Sequence, residues 1–123
     1  MESHQLPSIH VMVAAAPGIQ RDALVSLLRA QPNLTVTATV DDHSALRRML
    51  AAAPVEIMIL DGGILGSTGP DLIHWLRKEY PAARCVVLAN KTAQCAAYKY
   101  AGADAALLKG CLDEQLLAAI AGR

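Results

Sequence analysis

Glu56-Ile57-Met58-Ile59-Leu60 runs directly into Asp61, and from there into Gly62-Gly63-Ile64-Leu65-Gly66-Ser67-Thr68. This run is the most apolar strand of the chain, and it ends on Asp61. The stretch after Asp61 reads as a loop. Asp61 stands alone at the strand's end, and a carboxylate there is costly to desolvate unless something pairs with it.

Outward from this strand the same alternation repeats. On the N-terminal side, Ile9 to Ala14 (IHVMVA) is a second buried strand, bounded by Ala-Pro-Gly. Gly18 to Ala30 follows with Ala23, Leu24, Leu27 and Leu28 at helical spacing, and Pro32 stops it. Leu34 to Val40 (LTVTATV) alternates with period two, as an edge strand wetted on one side does. Asp41 or Asp42 is placed to cap a helix over His43 to Ala52, which carries Leu46, Met49 and Leu50 on one face.

On the C-terminal side, Gly69-Pro70 opens a helix that runs to about Tyr80 and ends before Pro81. Arg84 to Ala89 (RCVVLA) is a strand, and Thr92 is a candidate cap for a helix reaching Ala101, which Gly102 ends. Asp104 to Leu108 is the last strand and Leu112 to Ala121 the last helix. Strict β–α alternation predicts a parallel sheet with helices on both faces. Five strands in a chain of 123 residues suggest a three-layer α/β/α flavodoxin-like sandwich of strand order 2-1-3-4-5. In such sheets ligands bind beyond the carboxyl ends of the strands. That points to Ala14–Gly18, Asp61–Gly69, Ala89–Thr92 and Lys109–Cys111.

Composition narrows the function. The 54% of hydrophobic residues and 18% of charged ones are those of a core-forming chain. Residues 1–8 read as a disordered tail and 9–123 as one domain. Eleven basic residues balance eleven acidic ones, and no basic stripe suits a nucleic acid. No apolar run nears the roughly 18 residues of a membrane span, and the start lacks the pattern of a secretory signal. A cytoplasmic protein is expected. Cys85, Cys95 and Cys111 have no metal-type spacing and read as buried reduced thiols. His4, His10, His43 and His74 are scattered.

At the ligand-binding edge, Asp61 and Lys109 fall where they can reach each other. They form either a structural ion pair or an acceptor carboxylate beside a lysine that steadies phosphoryl charge. Gly66-Ser67-Thr68-Gly69 precedes a helix, so it is a possible anion loop, with an ordinary helix cap as the plainer reading. No G-x-G-x-x-G or Walker-type loop is present, so no cofactor is expected.

The strand ending in Asp61, the helix opening at Gly69, the Ala101-Gly102-Ala103 turn and the Leu107-Leu108-Lys109 ending resemble a bacterial response-regulator receiver domain. The resemblance runs from Ile9 to Ala121. AQPNLTV (30–36) and AGADAALLKG (101–110) look most like receivers coupled to LuxR-type outputs. It implies Asp61 as the position that accepts phosphate from a histidine kinase, with Lys109 as its partner.

The departures from that family are as informative. Ala15 and Ala16 stand where the family's Mg²⁺-binding acids belong, Ala89 replaces the Thr or Ser ending the fourth strand, and Ala106 replaces the switch aromatic. Leu65 and Gly110 stand at two usual prolines. Mg²⁺ needs octahedral oxygen ligands, commonly one or two carboxylates with phosphate and water. Very weak or absent Mg²⁺ binding and negligible phosphorylation are therefore expected.

Asp41 and Asp42 lie on the right edge but are explained by helix capping, and Asp71 sits favourably in a helix's first turn. The resulting expectation is a non-enzymatic pseudo-receiver working through contact with a kinase, an output domain or a second copy as a homodimer. Tyr98, Tyr100 and the last helix are the expected contact residues. The alternatives are slow phosphorylation at Asp61 and a flavodoxin-like module that binds a small ligand or phosphate.

Overall fold

The computed structural model describes residues 8–122. Ser8 is hydrogen-bonded to Thr35, and the rest of the expected tail lies outside the described residues. Strands β1 (Ile9–Ala14), β2 (Leu34–Val40), β3 (Ile57–Asp61), β4 (Arg84–Ala89) and β5 (Ala105–Leu108) form one parallel sheet of order β2-β1-β3-β4-β5. Between them run helices α1 (Ile19–Arg29), α2 (His43–Ala52), α3 (Gly62–Leu65), α4 (Gly69–Glu79) and α5 (Thr92–Ala101), and α6 (Asp113–Ala121) follows β5.

Alternate residues of the central strand serve opposite layers, as strand geometry requires. Met58 and Leu60 pack with Leu46 and Leu50 of α2, Leu72, Ile73 and Leu76 of α4, and Tyr98 of α5. Ile57 and Ile59 pack with Val25 and Leu28 of α1 and with Leu116, Ala119 and Ile120 of α6. Each fully buried leucine contributes about 1.5–3 kcal/mol, so the two apolar layers dominate the stability of the domain. By this alternation Asp61 falls on the α1/α6 side. The outer strand β2 keeps every second residue half-buried, in agreement with its alternating threonines.

Several boundaries move for physical reasons. β3 takes in Asp61 and leaves out Glu56, which instead exchanges hydrogen bonds with the His10 backbone at the strand's start. β5 begins one residue later than expected, because the Asp104 carboxylate accepts from the Cys85 N–H and pairs with Arg77. Asp42 is the cap of α2, accepting from Ala45 N–H at 2.7 Å. Thr92 does not cap α5. It is the first helical residue, and Gln94 Oε1 accepts from the Asn90 and Lys91 N–H groups instead.

The segment expected as a loop, 62–68, is the helix α3 followed by a 3₁₀ turn over Gly66–Thr68. A Cβ on Gly69 would lie 2.9 Å from Tyr98 Cε1 and 3.0 Å from Leu65 Cβ, so only glycine lets α4 start this close to α5. Of the three thiols only Cys85 is buried, while Cys95 and Cys111 are half-buried, which corrects the expectation for those two.

Candidate functional site

β3 delivers Asp61 to the carboxyl edge of the sheet, and β5 delivers Lys109 beside it. Lys109 Nζ lies 2.5 Å from Asp61 Oδ1, and their side chains are 25% and 17% exposed. The same oxygen accepts from the Gly63 N–H at 2.7 Å, which makes Asp61 the cap of α3. The Lys109 N–H donates to the Ala89 carbonyl at 2.8 Å and fixes the lysine's origin. One carboxylate oxygen therefore serves a charge partner and a helix start together. On the far side, His43 Nε2 is 3.0 Å from the Ile64 carbonyl and ties α3 to α2.

Alanines stand at several positions near this pair. Ala15 is 2% exposed and directly follows β1, Ala16 is exposed, and Ala89 is fully buried. Ala106 packs in the same core as Tyr98. Among the described residues, no three His, Cys, Asp or Glu side chains come together as a metal would need.

Among the described residues, Asp61 is the single carboxylate lining the cavity beside Ala16, and its Oδ1 is held by an ammonium group. The donor set does not fit a hard divalent cation that asks for six oxygens. Arg21 of α1 lines that cavity together with Lys109, and its Nη1 donates to the Ala15 carbonyl at 3.3 Å. Two cations thus border the space beside Ala16.

Arg21 escaped the reading of the sequence, although a signal was there. It lies in the first turn of α1, where the helix dipole disfavours a positive charge. Asp22 beside it in the same turn offsets part of that cost.

Tyr98 also departs from expectation. It was expected at a contact surface, yet it is 3% exposed, and its hydroxyl lies against Gly62 and Gly69. Burial, then the nearby Asp61 charge, pushes its pKa up. Tyr100, 96% exposed, is the tyrosine that faces solvent from α5. In the last helix, Leu116, Ala119 and Ile120 are buried and Leu112 just before it is 61% exposed.

The possible anion loop stands apart from the ion pair's two cavities, and none of Gly66, Ser67, Thr68 or Gly69 lines either one. Neither hydroxyl caps α4. Pro70 removes an N–H donor, and Asp71 already supplies negative charge to that first turn.

No helix of the described residues is long and apolar enough to cross a membrane. The crevice at Asp61 is bordered by two cavities of about 340 and 290 Å³ that share Gln20, Arg21, Asp61 and Lys109.

Known proteins agree with this architecture. The nitrate/nitrite response regulator protein NarP of Escherichia coli (strain K12) is 28% identical over 112 residues, which is 89% of this chain and 52% of NarP. The chain therefore spans about half the length of that relative. The signal receiver domain of the putative response regulator NarL from Mycobacterium tuberculosis superposes with a TM-score of 0.80 at 20% identity, covering 95% of this chain and 99% of that one. The isolated REC domain of RcsB from Salmonella enterica serovar Typhimurium gives 0.82 at 21% identity, covering 93% and 86%. A LuxR-family response regulator from Aurantimonas sp. SI85-9A1 gives 0.81 at 22%, covering 94% and 87%. At these identities the structures speak for the fold alone. Residues 11–121 match the model of the response regulator receiver domain family, and with an aspartate and a lysine paired at the carboxyl edge of its sheet, the chain belongs to that family of two-component signalling domains.

Proposed function

We propose that this domain is a receiver whose output does not depend on phosphorylation of Asp61, and that it acts by protein–protein contact. The observation that carries the reading is the ion-paired Asp61 with alanines beside it. The acceptor-position oxygen is engaged by Lys109 and the Gly63 N–H, with Ala15 and Ala16 where metal-binding acids would stand. Without a divalent cation, charge on both the carboxylate and an incoming phosphoryl group goes unbalanced, a deficit of several kcal/mol. Ala89 takes away a hydroxyl donor, and one such donor is worth about 10²-fold or more in rate.

In this reading the ion pair is a standing tie between β3 and β5, not a receptor for phosphate. The chemistry is non-enzymatic and the setting cytoplasmic. The partner is a histidine kinase, an output domain or a second copy. The likeness in sequence to NarP, a nitrate/nitrite response regulator, and in fold to a LuxR-family response regulator supports the reading of this domain as the regulatory half of a LuxR-type transcription regulator. Exposed Tyr100 and Leu112 are the contact residues to test first.

Incubation with acetyl phosphate and Mg²⁺ followed by intact mass spectrometry tests the proposal, and no mass gain is expected. A near-stoichiometric gain of one phosphoryl group, absent in Asp61→Asn, overturns it.

A further inference from the structure

The larger cavity, about 340 Å³, opens between α1 and α6 beneath the Asp61–Lys109 pair. Its volume falls in the range of small-molecule sites, roughly 300–1,000 Å³. Leu24 and Leu27 of α1, Leu88 of β4 and Leu116 of α6 supply apolar wall. Leu108, a further lining residue, is 41% exposed, an apolar surface left open to solvent.

The polar end is the boundary with the second cavity, where Arg21, Lys109, Asp61 and Gln20 are shared. Two cations against one carboxylate leave that boundary one positive charge in excess. Asp113 lines the larger cavity only and is exposed at the first turn of α6. An apolar cavity with a cationic end is complementary to a molecule with an apolar body and one acidic group. A metal ion or a free nucleotide lacks that combination.

We infer that the cavity between α1 and α6 binds a small organic acid, with its acidic group between Arg21 and Lys109 and its apolar body against Leu24, Leu27, Leu88 and Leu116. This rests on the reading that the site has given up its metal, and it supplies that reading with an input. Arg21 acts as the anchor because Lys109 is already paired, whereas among the described residues the Arg21 guanidinium has a single bond, to the Ala15 carbonyl at 3.3 Å, and retains further N–H donors. A bound acid adjoining the ion pair touches α1, β5 and α6 at once, so occupancy is coupled to how α6 seats on the sheet.

The probe pair is 8-anilino-1-naphthalenesulfonate and N-phenyl-1-naphthylamine, which share an apolar body and differ in the acidic group. Fluorescence titration of the folded protein is expected to show saturable one-to-one binding of the sulfonate, with the neutral amine about tenfold weaker or more. Arg21→Ala removes about tenfold of sulfonate affinity and leaves the amine unchanged, and Arg21→Lys restores most of the loss. Leu24→Trp fills the chamber and weakens both probes.

Cys111 lines this cavity and Cys95 does not. The bound sulfonate is therefore expected to slow alkylation of Cys111, measured by peptide mass mapping, and not that of Cys95. Far- and near-ultraviolet circular dichroism confirms that each variant is folded. Absence of saturable binding, equal affinity for the two probes, indifference to Arg21→Ala, or no protection of Cys111 each overturns the inference. The acetyl phosphate experiment is read separately. Phosphoryl uptake with intact sulfonate binding removes the phosphorylation-independent reading but not the cavity. No uptake and no binding does the reverse.

Discussion

Replacing Lys109 with methionine removes the ammonium group and keeps the length of the apolar stem. The partner it abandons, Asp61, is 17% exposed and retains the Gly63 N–H. Two unit charges about 4 Å apart attract by about 4 kcal/mol at an effective dielectric constant of about 20. Both side chains are partly wetted, so solvent screening and the cost of desolvating the two groups offset most of that. The coupling should exceed the roughly 0.2–1 kcal/mol of exposed pairs. It should fall short of the roughly 3–5 kcal/mol lost when one partner of a buried pair is removed.

We expect about 1–2 kcal/mol of coupling between the two side chains, within those bounds. A double-mutant cycle with Lys109→Met, Asp61→Asn and both together isolates it, read by urea unfolding at fixed salt. For a domain of this size each kcal/mol moves the Tm by about 3–5 °C. A coupling below about 0.3 kcal/mol, within the error of additivity, refutes the idea that the pair ties β3 to β5.

Three further outcomes are expected. Ala15→Asp with Ala16→Asp should give the crevice measurable Mg²⁺ binding by titration calorimetry where the parent chain shows none; equal heats in both would mean that the alanines are not what excludes the metal. Burial pushes the Cys85 thiol up to about 12, with Arg77 lowering and Asp104 raising it. The folded state therefore keeps this proton longer than the unfolded state does. Stability from this group is complete below about pH 9 and declines as pH rises toward 12, by up to about 4 kcal/mol for three pKa units. Urea unfolding from pH 8 to 11 should show that slope, with a smaller one in Cys85→Ala. Gly69→Ala should cost about 1–3 kcal/mol by overpacking and less in a Tyr98→Leu background, because the added methyl meets Tyr98 Cε1 at 2.9 Å; simple additivity in chemical denaturation would exonerate the tyrosine.

Strand by strand, the fold was readable because the buried segments are short, apolar and separated by glycine or proline. IHVMVA, LTVTATV and RCVVLA form strands with the predicted bounds. Asp61 and Lys109 were legible as a pair because both end parallel strands on one edge, so topology alone brings them close. What stayed hidden depends on side chains meeting from distant parts of the chain. Asp104 turns its carboxylate onto the Cys85 N–H while its own N–H donates to the Cys85 carbonyl, and β5 starts at the next residue. Tyr98 is buried because Gly62 and Gly69, on other elements, lack the Cβ that would exclude its ring. α3 exists because Asp61 caps it, and a four-residue helix leaves too little sequence to show a period. Arg21 was overlooked because an arginine on a helix surface is ordinary until its neighbours are known.

The sheet divides the interior into two apolar compartments, one under α2, α4 and α5 and the other under α1 and α6. Substitutions buried on opposite sides share no neighbours, so their energetic effects should sum. Leu76 and Leu28, each completely enclosed in a different compartment, illustrate the case. The layer that carries α5 can therefore diverge to suit a new binding partner while the layer around the acid-sized chamber stays intact. One half of the molecule is free to change its allegiance without rewriting what the other half senses.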